Sequence, residues 1–343
     1  MVRYMIVIAV VAAVFWSASQ SIADSTPSAA EIGNLIERLA SPGTGREAAK
    51  RLVDIGTPAI PELEAVLDRR GDTALKIAAI GVLSESHSRE SAAAIKRCFA
   101  DPDPSVKRVA LSQAFRLQEE KCFVSKEDLW VPCQQWLRDE DSDLRNAAAR
   151  CLAIMDRRKA VPLLLETLDR EFKKPKEKRG TYQRPETMSL WGEDATINVC
   201  SNWLGLVPKE CEAAIVAYIG RGTRDLDYCL AEVLLGLGHT PIYSELLIEG
   251  ATKCSSAGVR ARIIYGLWNV DDSRVAGILK DALNDPYTVL TYSTSQVFYP
   301  IRSNAATALK KLDAKAKGLH PAYFGDALDS EPKAPEQTQE KRE

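Results

Sequence analysis

The 343-residue sequence predicts an all-α chain, an α-solenoid of about eight stacked helix-pair repeats. Three observations predict it. A block with a basic or polar residue, then a small apolar residue three or four places on, then Leu, recurs eight times. Each block has apolar residues at i, i+3, i+4 and i+7, the signature of one amphipathic helix. Outside one loop, no alternating run of strand composition competes with it.

In chain order the first four blocks read Arg46-EAAKRLVDIG, Lys76-IAAIGVL, Lys107-RVALSQAF and Arg145-NAAARCLAIM. After a gap come Thr196-INVCSNWLGL, Asp227-YCLAEVLLGL, Arg260-ARIIYGLWNV and Arg302-SNAATALKKL. A polar turn and a second periodic stretch follow each of the first seven, as in PAIPELEAVL, ESAAAIKRCF, AVPLLLETL, ECEAAIVAYI and RVAGILKDAL. Pro61, Pro162 and Pro241 are expected in the first turns of second helices, where a missing N–H costs little. The small residues Ala49, Ala79, Ala110, Ala148 and Ala305 are expected to let neighbouring first helices approach closely. One helix pair cannot bury its Ala/Leu face alone, whereas stacked pairs share a continuous core. Eight pairs at ordinary helix spacing make a rod about 65–80 Å long.

These blocks resemble HEAT repeats of the short bacterial kind, related to the PBS-lyase-type HEAT-like repeats of bacterial exported proteins. REAAKRLVDIGTPAIPELEAVL, DPDPSVKRVALSQAF and DSDLRNAAARCLAIMDRRKAVPLLLETL carry the resemblance, which spans residues 30 to about 316. It implies an armadillo-type fold and a scaffold role. In bilin lyases such repeats bind a phycobiliprotein and a tetrapyrrole, but no ligand motif of that group carries over onto residues here.

The ends differ from the repeats. Arg3, an apolar run from Tyr4 to Trp16, and Ser21 and Ala23 at the −3 and −1 positions predict a signal peptide, residues 1–23, cut before Asp24. The run is too short to span a bilayer, so no membrane span is expected after cleavage, and the protein is expected to be periplasmic or extracellular. The repeats divide into residues 24–171 and 193–326, four in each half, and the polar tail 327–343 is expected to be disordered. With a net charge of −2, the chain has no global pull on nucleic acid.

Two insertions break the spacing, and loops on rigid scaffolds are where function concentrates. The basic loop, residues 172–192, holds Lys173, Lys174, Lys176, Lys178, Arg179 and Arg184, a set that suits an anionic partner or, equally simply, a solvated linker. The aromatic insertion, 286–300, has no charged residue and carries Tyr287, Tyr292, Phe298 and Tyr299. TVLTY and QVFYP are spaced to pair as a hairpin across STS. Such a loop serves as a partner-binding surface or as a cover for the last repeat.

The sequence carries no recognisable catalytic or metal-binding motif. There is no G-x-S-x-G, no P-loop and no G-x-G-x-x-G, and the three histidines, His87, His239 and His320, fall in turns or after the last repeat helix. No CxxC occurs, which argues against structural zinc. Cys98, Cys151, Cys200 and Cys229 lie on apolar helix faces and read as small buried hydrophobes. Cys122 and Cys133 bracket an atypical, extended-looking segment, KCFVSKEDLWVPC, and are the one pair that suggests a disulfide. The expectation is a non-catalytic protein–protein interaction scaffold without a cofactor. The alternatives are a ligand- or chromophore-handling, lyase-like protein and a structural subunit of an envelope assembly.

Overall fold

The computed structural model describes residues 27–120, 123–179, 194–238, 243–291 and 296–318. Among them are sixteen α-helices and a single two-stranded hairpin, so the fold is an α-solenoid of helix pairs. The chain divides into two compact units between Thr167 and Leu168.

The first unit holds α1 (Ala29–Arg38), α2 (Gly45–Ile55), α3 (Ile60–Leu67), α4 (Thr73–Glu85), α5 (Arg89–Arg97), α6 (Pro104–Glu119), α7 (Lys126–Trp136) and α8 (Ser142–Met155). Helix α9 (Arg157–Lys173) carries the division point. The second unit continues with α10 (Ala195–Leu204), α11 (Glu212–Val216), α12 (Arg224–Gly236), α13 (Ser244–Lys253), α14 (Ala257–Gly266) and α15 (Val275–Ala282). Strands β1 (Val289–Thr291) and β2 (Gln296–Phe298) then precede α16 (Pro300–Ala316).

Within each unit the eight sequence blocks are the first helices, α2, α4, α6 and α8, then α10, α12, α14 and α16. They pack side by side in a row. Second helices pack against the first helix of the following pair, as α3 does on α4, α7 on α8 and α15 on α16. Helix starts are set by side-chain caps. Asp72, Ser88, Asp103, Ser125, Asp141, Thr223 and Ser256 each accept a backbone N–H of the first turn.

Packing follows the small-residue pattern with one change of register. Ala48, Ala79, Ala110, Ala148, Ala231, Ala261 and Ala305 are wholly buried along the row of first helices. Ala49, expected in that row, is half-buried, because one residue is a 100° turn and Ala48 faces the neighbour instead. Leu52, Leu63, Ile80, Leu83, Ile95 and Leu111 fill the space between rows, each contributing about 1.5–3 kcal/mol of burial.

The basic residue that opens most blocks clamps an inter-helix turn. Lys76 Nζ lies 2.7 Å from Asp101 Oδ2, with both side chains almost fully buried. Arg145 Nη1 donates to the carbonyls of Asp139 and Glu140 at 2.7 and 2.8 Å. Arg260 Nη1 donates to the Cys254 carbonyl at 2.8 Å and Arg302 Nε to that of Asp285 at 2.7 Å. In three of these turns an aspartate also accepts the N–H two residues on, Asp101 from Asp103, Asp139 from Asp141 and Asp285 from Tyr287. The repeated charge is therefore the bolt between successive pairs.

Two local expectations are corrected. The segment read as extended turns helical at Lys126, where Ser125 and Asp128 form a capping box, although Pro132 lies inside that helix. Pro162 falls within α9 rather than in its first turn, because the helix starts early, at Arg157.

Candidate functional site

The aromatic insertion is the candidate site, and it begins where α15 runs out. Strands β1 and β2 pair antiparallel, with Val289 opposite Phe298, Leu290 opposite Val297 and Thr291 opposite Gln296. The composition of the two runs forces this: β-branched and aromatic residues cannot continue the helix past Pro286, and Pro300 restarts it at the first helical position.

Arg302 clasps both ends of the hairpin. Its Nε donates to the Asp285 carbonyl at the entry, and its guanidinium stacks on the Tyr299 ring at the exit, 4.2 Å from the centroid. Asp285 also accepts the Tyr287 N–H at 2.9 Å and stands 4.0 Å from Arg260. Tyr287 and Phe298 are half-buried, while Tyr299 is 37% exposed and Leu283, two residues before Asp285, 38%. The structure thus gathers three of the four expected aromatics, Tyr287, Phe298 and Tyr299, at the hairpin's base. Tyr292 lies outside the described residues.

A second aromatic surface in the same unit escaped the sequence reading. Tyr265, 38% exposed at the end of α14, carries Lys311 of α16 over its ring at 4.4 Å, and the same ammonium lies 5.4 Å from the Trp268 ring. The YGLW spacing hid it, because aromatics at helical intervals ordinarily belong to the core.

The basic insertion is arranged otherwise than an open cationic surface. Lys173 pairs with Asp169 at 2.6 Å and Lys174 with Glu171 at 2.7 Å. Arg179 is buried: Nη1 donates to Ser255 Oγ at 2.8 Å, Nη2 to the Phe172 carbonyl and Nε to the Lys174 carbonyl. Asp194 and Asp225 stand 3.9 and 3.8 Å from it. Lys173, Lys174 and Arg179 are therefore engaged within the fold. Lys176 and Lys178 are exposed, and Arg184 lies outside the described residues.

Arg179 borders a polar core that the sequence did not advertise. Arg262 Nη1 donates to Asn198 Oδ1 at 2.7 Å, Nη2 to Ser201 Oγ at 2.8 Å and Nε to Glu232 Oε2 at 3.0 Å, tying α14 to α10 and α12. Gly258 lies against Asn198; a Cβ there would come within 2.8 Å of Oδ1. Cys229 and Cys254 are buried in the same unit, and burial pushes the Cys229 thiol up to about 12. Such thiols are inert packing groups. The polar residues Asn198 and Ser201 within the INVCSN stretch were the available signal.

In the first unit a cavity of about 920 Å³ opens between the turns 67–73 and 97–104. Its inner charges are matched: Lys76 pairs with Asp101, and Asp103 accepts from Thr73 and Ser105. Among the described residues no group of three or more His, Cys, Asp or Glu is placed to hold a metal ion, and no helix is long and apolar enough to cross a membrane. His239 and His320 lie outside the described residues; His87 pairs with Glu120 at 3.0 Å.

The expected Cys122–Cys133 disulfide involves a residue outside the described set, Cys122. Cys133 itself is a free, wholly buried thiol.

No protein-family model matches the chain, and no curated protein matches it significantly. Among solved structures, human deoxyhypusine hydroxylase in complex with glycerol aligns over 82% of this chain and 96% of its own, at 15% identity and a TM-score of 0.28. An engineered protein aligns over 87% and 91%, at 17% identity and the same TM-score. Neither superposes well enough to inform the fold or the chemistry.

Proposed function

We propose that this chain is a non-catalytic protein-interaction scaffold acting outside the cytoplasm, with the base of the aromatic hairpin as its main contact. The observation that carries the reading is the Arg302 clasp. It holds exposed Tyr299 in a set orientation at the hairpin's exit, and Leu283, two residues before the clasped Asp285, is exposed as well. A preorganised aromatic side chain buries large area at small entropic cost, which is how interface anchors work. The chemistry of the surface suits a partner with an apolar, weakly charged face. Membership of the HEAT-like repeats and export through a cleaved signal belong to the same proposal, and the adjoining second helices of the last three repeats, which carry Glu245 and Lys280, supply the wider contact surface.

The test is affinity capture of the mature protein from its native envelope, followed by mass spectrometry. Phe298→Ser/Tyr299→Ser should lose the captured partner, with a binding loss of several kcal/mol and little change in melting temperature. A variant that melts far lower yet still captures the partner when folded makes the hairpin a cover and overturns the assignment. N-terminal sequencing of the exported protein should begin at or near Asp24.

A further inference from the structure

The cavity of about 920 Å³ lies wholly within the first unit and has the size of a small-molecule site. Two turns wall it: residues 67–73, which join α3 to α4, and 97–104, which lead from α5 into α6. The buried Lys76–Asp101 pair and the hydrogen bond from the Thr73 hydroxyl to Asp103 tie these turns together, so the walls are fixed. Three of the four carboxylates in the lining are committed: Asp101 holds Lys76, while Asp72 and Asp103 accept first-turn N–H groups of α4 and α6. Asp68 is the fourth, and it is exposed. Of the four cations, Lys76 is spent on Asp101 and Arg97 on Glu64, 3.2 Å away. Arg69 and Arg70 remain. Both are exposed, and neither guanidinium makes an ion pair or hydrogen bond among the described residues. Gly71, at φ 85°, turns the chain straight after them. The uncommitted charge of the lining is therefore two guanidinium groups against the single carboxylate of Asp68.

We propose that this cavity binds a small organic oxyanion with an apolar body. Arg69 and Arg70 hold the charged head, and Leu67, Pro102 and Pro104 of the lining receive the body. A guanidinium presents its N–H donors in a planar fork that matches the paired oxygens of a carboxylate or phosphate. At an exposed mouth that attraction alone contributes little. Removing an apolar body from water inside the cavity supplies the remainder, so neither a bare inorganic anion nor an uncharged apolar molecule satisfies the site. The carboxylates of the inner wall do not oppose this arrangement, because their charge is already taken up by Lys76 and by the two helix starts. The site lies in a different unit from the aromatic hairpin, and it does not rest on the proposed scaffold role.

The experiment uses the full chain and the dye anilinonaphthalenesulfonate, an organic oxyanion whose fluorescence rises when it leaves water. The dye should bind saturably, and octanoate and phenyl phosphate should displace it while octanol does not. The more effective of the two competitors identifies the preferred head as carboxylate or phosphate. Arg69→Ala/Arg70→Ala should weaken dye binding by about tenfold or more, at an unchanged melting temperature, since both side chains are exposed. Arg69→Lys/Arg70→Lys should recover part of the loss. In the unaltered chain, hydrogen exchange read by mass spectrometry should show dye-dependent protection of peptides covering residues 67–73 and 97–104. Displacement by octanol as readily as by octanoate would reduce the cavity to an apolar hole, and protection confined to the aromatic hairpin would place the dye elsewhere. Either result overturns the proposal, as does undiminished affinity in the alanine variant or the absence of saturable binding.

Discussion

Replacing Arg262 with Met keeps the aliphatic stem and removes the guanidinium that joins three helices of the second unit. The Arg262 and Glu232 side chains are 16% and 17% exposed, so the pair is largely out of water. Met leaves the Glu232 carboxylate, Asn198 Oδ1 and Ser201 Oγ without their shared donor. Breaking a buried pair from one side costs about 3–5 kcal/mol, and the residual exposure of Glu232 places this case near the lower end, about 3. For a unit of this size that is a fall of roughly 6–12 °C in the melting temperature. Urea unfolding followed by far-UV circular dichroism and tryptophan fluorescence reads it out, since Trp203 sits on α10 beside Ser201. Adding Glu232→Gln should recover part of the loss, because the orphaned charge is then gone. As a control, Arg274→Ala removes a guanidinium engaged with Asp272 and Glu245 entirely at the surface, and should leave the midpoint unchanged. A cost below about 1 kcal/mol for Arg262→Met, or a double variant as unstable as the single, refutes the argument that the buried charge network holds α10, α12 and α14 together.

Three further outcomes follow from the same structure. Ala110→Leu forces three carbons into the wholly buried seam between first helices and should cost about 1–3 kcal/mol by chemical denaturation. Asp103→Ala removes the cap of α6 and the acceptor of the Thr73 hydroxyl, for a loss of about 1–2 kcal/mol measured the same way. Acid should destabilise the fold through its carboxylates. The Thr73 hydroxyl holds Asp103 below its ordinary value, and the Ser125 N–H does so for Asp128. Groups lowered on folding contribute fully above their unfolded values and lose that contribution as pH falls through the folded ones. The melting temperature should thus be flat above pH about 5 and drop steadily between about 4 and 2, and a flat profile there contradicts the assigned pairs.

What the sequence determined by itself is the local and periodic part of this protein. The 3.6-residue rhythm placed every first helix, the Ala positions marked the seam to within one residue, and the two runs around STS specified a hairpin that the structure forms. These are short-range properties, written into neighbouring side chains. Tertiary structure decided which distant groups meet. Arg179 turns inward to Ser255, 76 residues away, so a run of positive charge that looked solvent-facing is partly a structural anchor. Arg262 finds Asn198 64 residues back. The repeated basic residue was visible as a pattern, but its role as a clamp on the turns was not. The reason is geometric: stacking brings the same face of successive helices together at intervals of 30 residues or more. Which polar groups then coincide depends on helix rotation and spacing, and a single residue's change in phase is enough to alter it.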